Sequence, residues 1–182
     1  MKRFFGNLII HLIFKSDDIK INLLYEYLTK KSFLIKYETF RKKYKIIEDF
    51  KFNGHNIKFY GDGEIICGKN SYIGSFSTIQ SAKNYKVIIG NNCSISHNVR
   101  IYTQSNVSDQ NMDLNSTKEI ISGDVFIGNG VWIGANVFIK QNVKIGNNSI
   151  IGANSVVIKD VEPNSIYGGV PAKFLRFKRI SS

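Results

Sequence analysis

Proline, cysteine, histidine and tryptophan are nearly missing from this chain of 182 residues, which holds two, two, three and one of them. Two cysteines cannot build the disulfide framework that small secreted domains rely on. Cys67 and Cys93 read instead as small buried apolar side chains in reducing surroundings. The histidines are His11, His55 and His97, and only His97 falls inside the patterned region described below. A catalytic zinc site takes several ligands from neighbouring elements, so no metal is expected. No apolar run is long enough to cross a bilayer: Phe4 to Phe14 has about eleven residues against the roughly 20 that a helix needs. That run follows Lys2 and Arg3 as the core of a signal peptide does. It contains His11, however, and leads into Lys15, Ser16, Asp17 and Asp18 without a small-residue cleavage site, so secretion is not expected and a cytoplasmic location is.

Acidic residues are scarce too, 14 against 25 Lys and Arg, for a net charge of +11. The excess is uneven. Up to Lys58 the count is 13 basic against 6 acidic, and beyond it 12 against 8. In the N-terminal third the basic residues are interleaved with Leu, Ile, Phe and Tyr. That suits the polar faces of helices, or a rim resting on anionic lipid, better than a nucleic-acid groove. No nucleic-acid partner is expected, and peripheral contact with the inner membrane surface stays open.

What the chain has in abundance is a period of six. From Ile121 to Glu162 apolar residues return at Ile121, Ile127, Ile133, Ile139, Ile145, Ile151 and Val157, with small or branched residues four places later. A repeat this short predicts a parallel β-helix. Two shorter blocks start at Cys67, Ile73 and Ile79 and at Ile89, Ile95 and Ile101, with an irregularity expected over Tyr85 to Ile88 because Ile79 and Ile89 are ten apart. Gly returns at the second place (Gly68, Gly74, Gly90, Gly128, Gly134, Gly146, Gly152) and Asn at the fourth (Asn70, Asn92, Asn98, Asn136, Asn142, Asn148, Asn154). Both tolerate left-handed backbone angles, so they mark corners between short strands. Residues 106–120 break the pattern and read as a polar loop thrown out from the coil. The expected division is an N-terminal helical, basic segment at 1–56, a β-helix at 57–166 and a C-terminal cap at 167–182.

The units IGNGVW, IGANVF, IGNNSI and IGANSV, followed by YGGVPAK, resemble the hexapeptide-repeat acyltransferases over roughly residues 57 to 180. NCSISHNVRIYT, the polar loop and GDVFIGNGVWIGANVFI are similar to the branch that acetylates sugars, including polysaccharide and lipopolysaccharide precursors. The resemblance implies a left-handed parallel β-helix, a homotrimer, acetyl-CoA held between adjacent coils, and a sugar or a nucleotide- or lipid-linked sugar as acceptor.

Direct acyl transfer needs a base to take the proton of the attacking hydroxyl, and imidazole titrates in the right range. His97, in the third place of its unit, matches the place of the catalytic His in serine and bacillosamine-type acetyltransferases and is the expected general base. Maltose- and galactoside-type enzymes carry theirs in the extruded loop after a segment like IYTQS, where this chain has Asn106. Asp109 and Asp113 are the loop acids that could orient the imidazole. Trp132, in an outward place, is expected to stack on the acceptor. Gly134, Ala135, Gly152 and Ala153 leave room for the pantetheine arm, and Lys159, Lys173 and Arg176 could reach the CoA phosphates. Transfer to a sugar amine and a non-catalytic acyl-CoA or sugar scaffold are the alternatives.

Overall fold

The computed structural model describes residues 18–113 and 118–179. Phe4 to Phe14, with His11, lies outside them. Residues Met1–Glu38 and Thr39–Ser182 form two compact units. Of the first unit the structure describes the start of helix α1 (Asp18–Tyr44), on which Leu23, Leu24, Tyr27 and Leu28 are exposed. Among the described residues no helix is long and apolar enough to cross a membrane.

The second unit is a coil of three parallel faces. The first face contains β1 (Lys51–Asn53), β4 (Tyr72–Gly74), β7 (Ser94–Ile95), β12 (Trp132–Ile133) and β15 (Ile150–Ile151), extended by β17 (Ser165–Gly168) and the antiparallel β18 (Lys173–Phe177). The second holds β2 (Lys58–Tyr60), β5 (Thr78–Gln80), β8 (Arg100–Tyr102), β13 (Phe138–Ile139) and β16 (Val156–Val157). The third holds β3 (Glu64–Cys67), β6 (Lys86–Ile89), β11 (Val125–Ile127) and β14 (Val143–Ile145). The parallel register stacks one residue per turn in each column. Ile73, Ile95, Ile133 and Ile151 form such a column, and Ile79, Ile101, Ile139 and Val157 another; all of them are buried. Burying each such side chain contributes about 1.5–3 kcal/mol, and the column is why a strict six-residue period is needed.

The corners divide the work between two residue types. All seven predicted asparagines have φ between 54° and 60°, in the left-handed region. The second-place glycines do not; all but Gly152 are there because the next turn passes too close for a side chain. A Cβ on Gly134 would sit 2.5 Å from the Ala153 nitrogen, and one on Gly74 2.8 Å from the His97 Nδ1. Phe76 is the exception among fourth-place residues, since it takes φ of 63° where Asn56, Asn98, Asn136 and Asn154 stand in the same column. A bulky L-residue held there costs about 1–2 kcal/mol.

Three expectations are corrected. The coil begins at Lys51, ahead of the recognisable repeat, because Phe52 and Phe59 fill the inward places seven residues apart. Over those places the last helical turn packs its aromatic side chains: Phe40 lies 5.5 Å from Phe59 and Tyr44 donates to the Gly61 carbonyl at 2.9 Å. The irregular stretch is Ser81 to Tyr85, whereas Lys86–Ile89 is a regular strand. Finally, Ile121 is 44% exposed and belongs to a hairpin, so the repeat proper resumes at Val125.

Candidate functional site

The corner between the first and second faces stacks His55, Ser75, His97, Ala135 and Ala153 in one column. At the corner between the third and first faces the same place is taken by Lys69, Asn91, Asn129 and Asn147. There each Asn Oδ1 accepts the backbone N–H one turn back, at 2.7 to 2.8 Å. His97 does the equivalent with its ring: Nδ1 accepts the Ser75 N–H at 3.1 Å. A neutral imidazole with its Nδ1 lone pair so engaged carries its hydrogen on Nε2, which makes the solvent-facing nitrogen a donor. His97 is exposed, and its carbonyl accepts the Asn136 N–H at 3.0 Å, so it stands one turn from Gly134 and Ala135 on the same edge. Gly152 and Ala153 follow one turn later, where a Cβ on Gly152 would meet nothing closer than 3.5 Å. Beyond the imidazole, the third-place column of this edge carries only the methyl groups of Ala135 and Ala153.

The outward column of the first face runs Ser94, Trp132, Ile150, Ile166, Arg176. Trp132 is 55% exposed, with no core role. Ile150, Ile166, Arg176, Lys178 and Arg179 line a groove of about 360 Å3. An apolar floor with a cationic end fits a pantetheine arm that terminates in phosphates. Lys173 is exposed at the start of β18.

The loop is a hairpin, β9 (Gln104–Asn106) paired with β10 (Ile120–Ser122), tied by Gln110, which donates to the Val107 and Glu119 carbonyls. It leaves the coil between β8 and β11, at the corner of the second and third faces. Asn106, Asp109 and Asp113 are exposed on it. Lys159 follows β16 on the same corner. Within one chain the loop acids thus stand on a different edge from His97, and Lys159 on a different edge from Gly152 and Ala153.

Sequence reasoning missed two features. Gln141 is 3% exposed, gives its amide hydrogen to Ser105 Oγ at 2.8 Å, and keeps a buried Oε1 without a hydrogen-bond partner among the described residues. Above it Tyr60, Gln80, Tyr102, Gln104, Ser105 and Asn106 line a groove of about 420 Å3 at the hairpin base. Burial first, then the neighbouring Tyr102, holds the Tyr60 phenol above its ordinary range, so it stays a neutral donor. A polar Gln in an inward stretch was the available signal. No group of three or more potential metal ligands occurs among the described residues.

The family model for bacterial transferase hexapeptide (six repeats) matches residues 124–159. No curated protein sequence matches the chain. Among solved structures it is similar to a galactoside acetyltransferase in complex with coenzyme A, with 31% identity over 97% of this chain and 80% of that one and a TM-score of 0.61. It also resembles a hexapeptide-repeat acetyltransferase of Vibrio cholerae O1 biovar eltor complexed with acetyl coenzyme A (29% identity, 81% of this chain and 78% of that one, TM-score 0.65). A maltose O-acetyltransferase from Clostridium difficile 630 shares 30% identity over 73% of this chain and 72% of that one, with a TM-score of 0.56.

Proposed function

Because the chain belongs to the hexapeptide-repeat acetyltransferases, 31% identical to a galactoside acetyltransferase along 97% of its length, we propose that it moves the acetyl group of acetyl-CoA to a hydroxyl of a sugar. The acceptor is a precursor of cell-surface polysaccharide or lipopolysaccharide, used on the cytoplasmic side of the membrane. The observation that supports this best is the continuous edge from Ala153 and Gly152 through Ala135 and Gly134 to His97, beside a face bearing Trp132 and Arg176. In the reaction the sugar oxygen attacks the thioester carbonyl, a proton leaves that oxygen, and the CoA thiolate departs and is protonated.

The general base in this proposal is His97, subject to a geometric condition. Its Nε2 can take a proton only if Nδ1 carries the other hydrogen, so the Ser75 N–H must be released as substrate binds. Asp109 or Asp113 would then stabilise the imidazolium from the hairpin of a neighbouring copy, which makes a homotrimer with shared sites part of the proposal.

The Ser75 contact favours one second reading. An amine attacks through its own lone pair and sheds its proton after the bond forms, so an amino sugar would leave the His97 ring undisturbed. Free-thiol release on adding hydroxy or amino sugars to protein and acetyl-CoA tests both. With hydroxy sugars as substrates, His97→Asn should lower kcat on the order of 10²-fold or more. Release only with amino sugars, unaffected by His97→Asn, supports the second reading. No sugar-dependent release contradicts both and leaves a binding scaffold.

A further inference from the structure

In the first three turns, the part of the second face's outer surface that lies away from the hairpin is used by nothing above. Its margin at the first corner is a groove of about 560 Å3 lined by Asn56, Lys58, Phe76, Thr78, Asn98 and Arg100. Phe76 is displayed there, 49% exposed, in the left-handed conformation that the same column elsewhere gives to Asn. Asn in its place would turn the corner without strain, so the aromatic ring is kept against the local preference of the backbone. The His55 ring packs against it, with centroids 4.8 Å apart and planes at 80°.

Two cations flank that ring. The register Lys58, Thr78, Arg100 places them two strands apart, about 10 Å between backbones, a gap that their long side chains can close around one anion. Among the described residues neither has a carboxylate partner. Arg100 is pre-aimed: its Nη2 donates to Asn98 Oδ1 at 3.1 Å, and Asn98 is itself anchored by donating to Asn136 Oδ1 at 2.9 Å. A pair of uncompensated cations beside an exposed aromatic plane and two amides is the chemistry that holds a phosphate linked to a flat or ring-shaped group. On the same strands Tyr60, Gln80 and Tyr102 continue the surface to the groove at the hairpin base.

We propose that this face binds the phosphate or diphosphate of a glycosyl phosphate, so that the acceptor is a phosphorylated sugar rather than a free one, with its phosphate between Lys58 and Arg100 and Phe76 covering what is attached beyond it. The assignment rests on the sugar-transfer reading for its meaning but not for its test. Phosphate chemistry is shared by sugar 1-phosphates, nucleotide-linked sugars and prenyl-diphosphate sugars, and Phe76 separates them.

The test is binding without acetyl-CoA, by calorimetry on the full chain, of inorganic pyrophosphate, glucose 1-phosphate, UDP-glucose and a short-chain prenyl-diphosphate sugar, with free glucose as control. Pyrophosphate and all ligands that carry phosphate should bind saturably, more weakly as salt rises, and free glucose should not. Lys58→Ala and Arg100→Ala should each weaken binding by roughly tenfold or more, as loss of one charge-assisted contact does. Phe76→Asn should raise the melting temperature while weakening the ligand whose attached group lies on the ring. A nucleotide source predicts that this variant affects UDP-glucose alone, and a lipid source that it affects the prenyl compound alone. Absence of saturable pyrophosphate binding, or binding unchanged in both cation variants, overturns the proposal, as does a change of oligomeric state in those variants without loss of a ligand. Pyrophosphate binding in a protein that never releases thiol from acetyl-CoA contradicts the transfer reading only.

Discussion

His97 shows how one place in the repeat can serve structure and chemistry at once. Its Nδ1 occupies the position of the Asn Oδ1 atoms of Asn91, Asn129 and Asn147, and like them it satisfies a backbone N–H of the preceding turn. Asn can keep that bond and Ala cannot. His97→Asn should therefore melt near the parent, whereas His97→Ala should lose about 1 kcal/mol, read from urea unfolding. Similar substitution logic explains Cys93. Ser71 and Ser149 donate their hydroxyls to carbonyls of the next turn, and Cys93 Sγ approaches the Gly128 carbonyl at 3.0 Å in the same role. Burial pushes both thiols up, Cys67 the further. The unfolded thiol ionises near pH 8.5 while the native one does not, so this contribution is complete below that pH and is lost as pH rises above it. Iodoacetamide at pH 8 should leave both cysteines unlabelled in the native protein and label both in urea; labelling of the native chain would contradict the burial.

At the scale of elements, the hairpin is largely self-contained, although buried Gln141 ties it to the coil by donating to Ser105 Oγ. The hairpin closes on itself through β9 and β10 and the Gln110 bridge, and Gly123 N–H returns to the Thr103 carbonyl at 2.9 Å directly across its base. Joining residues 103 and 123 by a short Gly-Ser link should leave the far-ultraviolet dichroism and cooperative melting of the coil in place and abolish sugar-dependent thiol release. Loss of the coil would show that the hairpin is structural. This division was only half legible in the sequence. The interruption is visible because its residues break the six-residue period, but its pairing is not: Ile121 fits the period by number and faces solvent in an antiparallel strand. The first turn was hidden for a related reason, because Phe52 and Phe59 are seven apart, Gly54 taking up the extra residue at φ of 135°. By contrast, the seven asparagines announced every left-handed corner they occupy, since few other residues sit there without strain. For the site, the period puts His97 and Ala135 in the third places of their units, and the strand register stacks them on one edge. The sequence could not reveal that Asp109 and Asp113 leave from another, because which corner a residue reaches depends on counting through irregular turns.

At the scale of the whole molecule, the candidate machinery is divided: His97 and the CoA-compatible backbone lie on one edge and face, and Asn106, Asp109 and Asp113 on a hairpin springing from a second edge. A single chain does not bring them together; the proposed trimer would. The most direct measurement is complementation. Ala135→Trp would block the edge, and replacement of residues 104–122 by a Gly-Ser link would remove the hairpin. Each variant alone should be inactive in sugar-dependent thiol release. Co-expressed as mixed oligomers they should regain a measurable share of the parent rate, because some interfaces pair an intact edge with an intact hairpin. Mixed oligomers that form and stay inactive, or a parent chain fully active as a sedimenting monomer, would contradict a site built between copies.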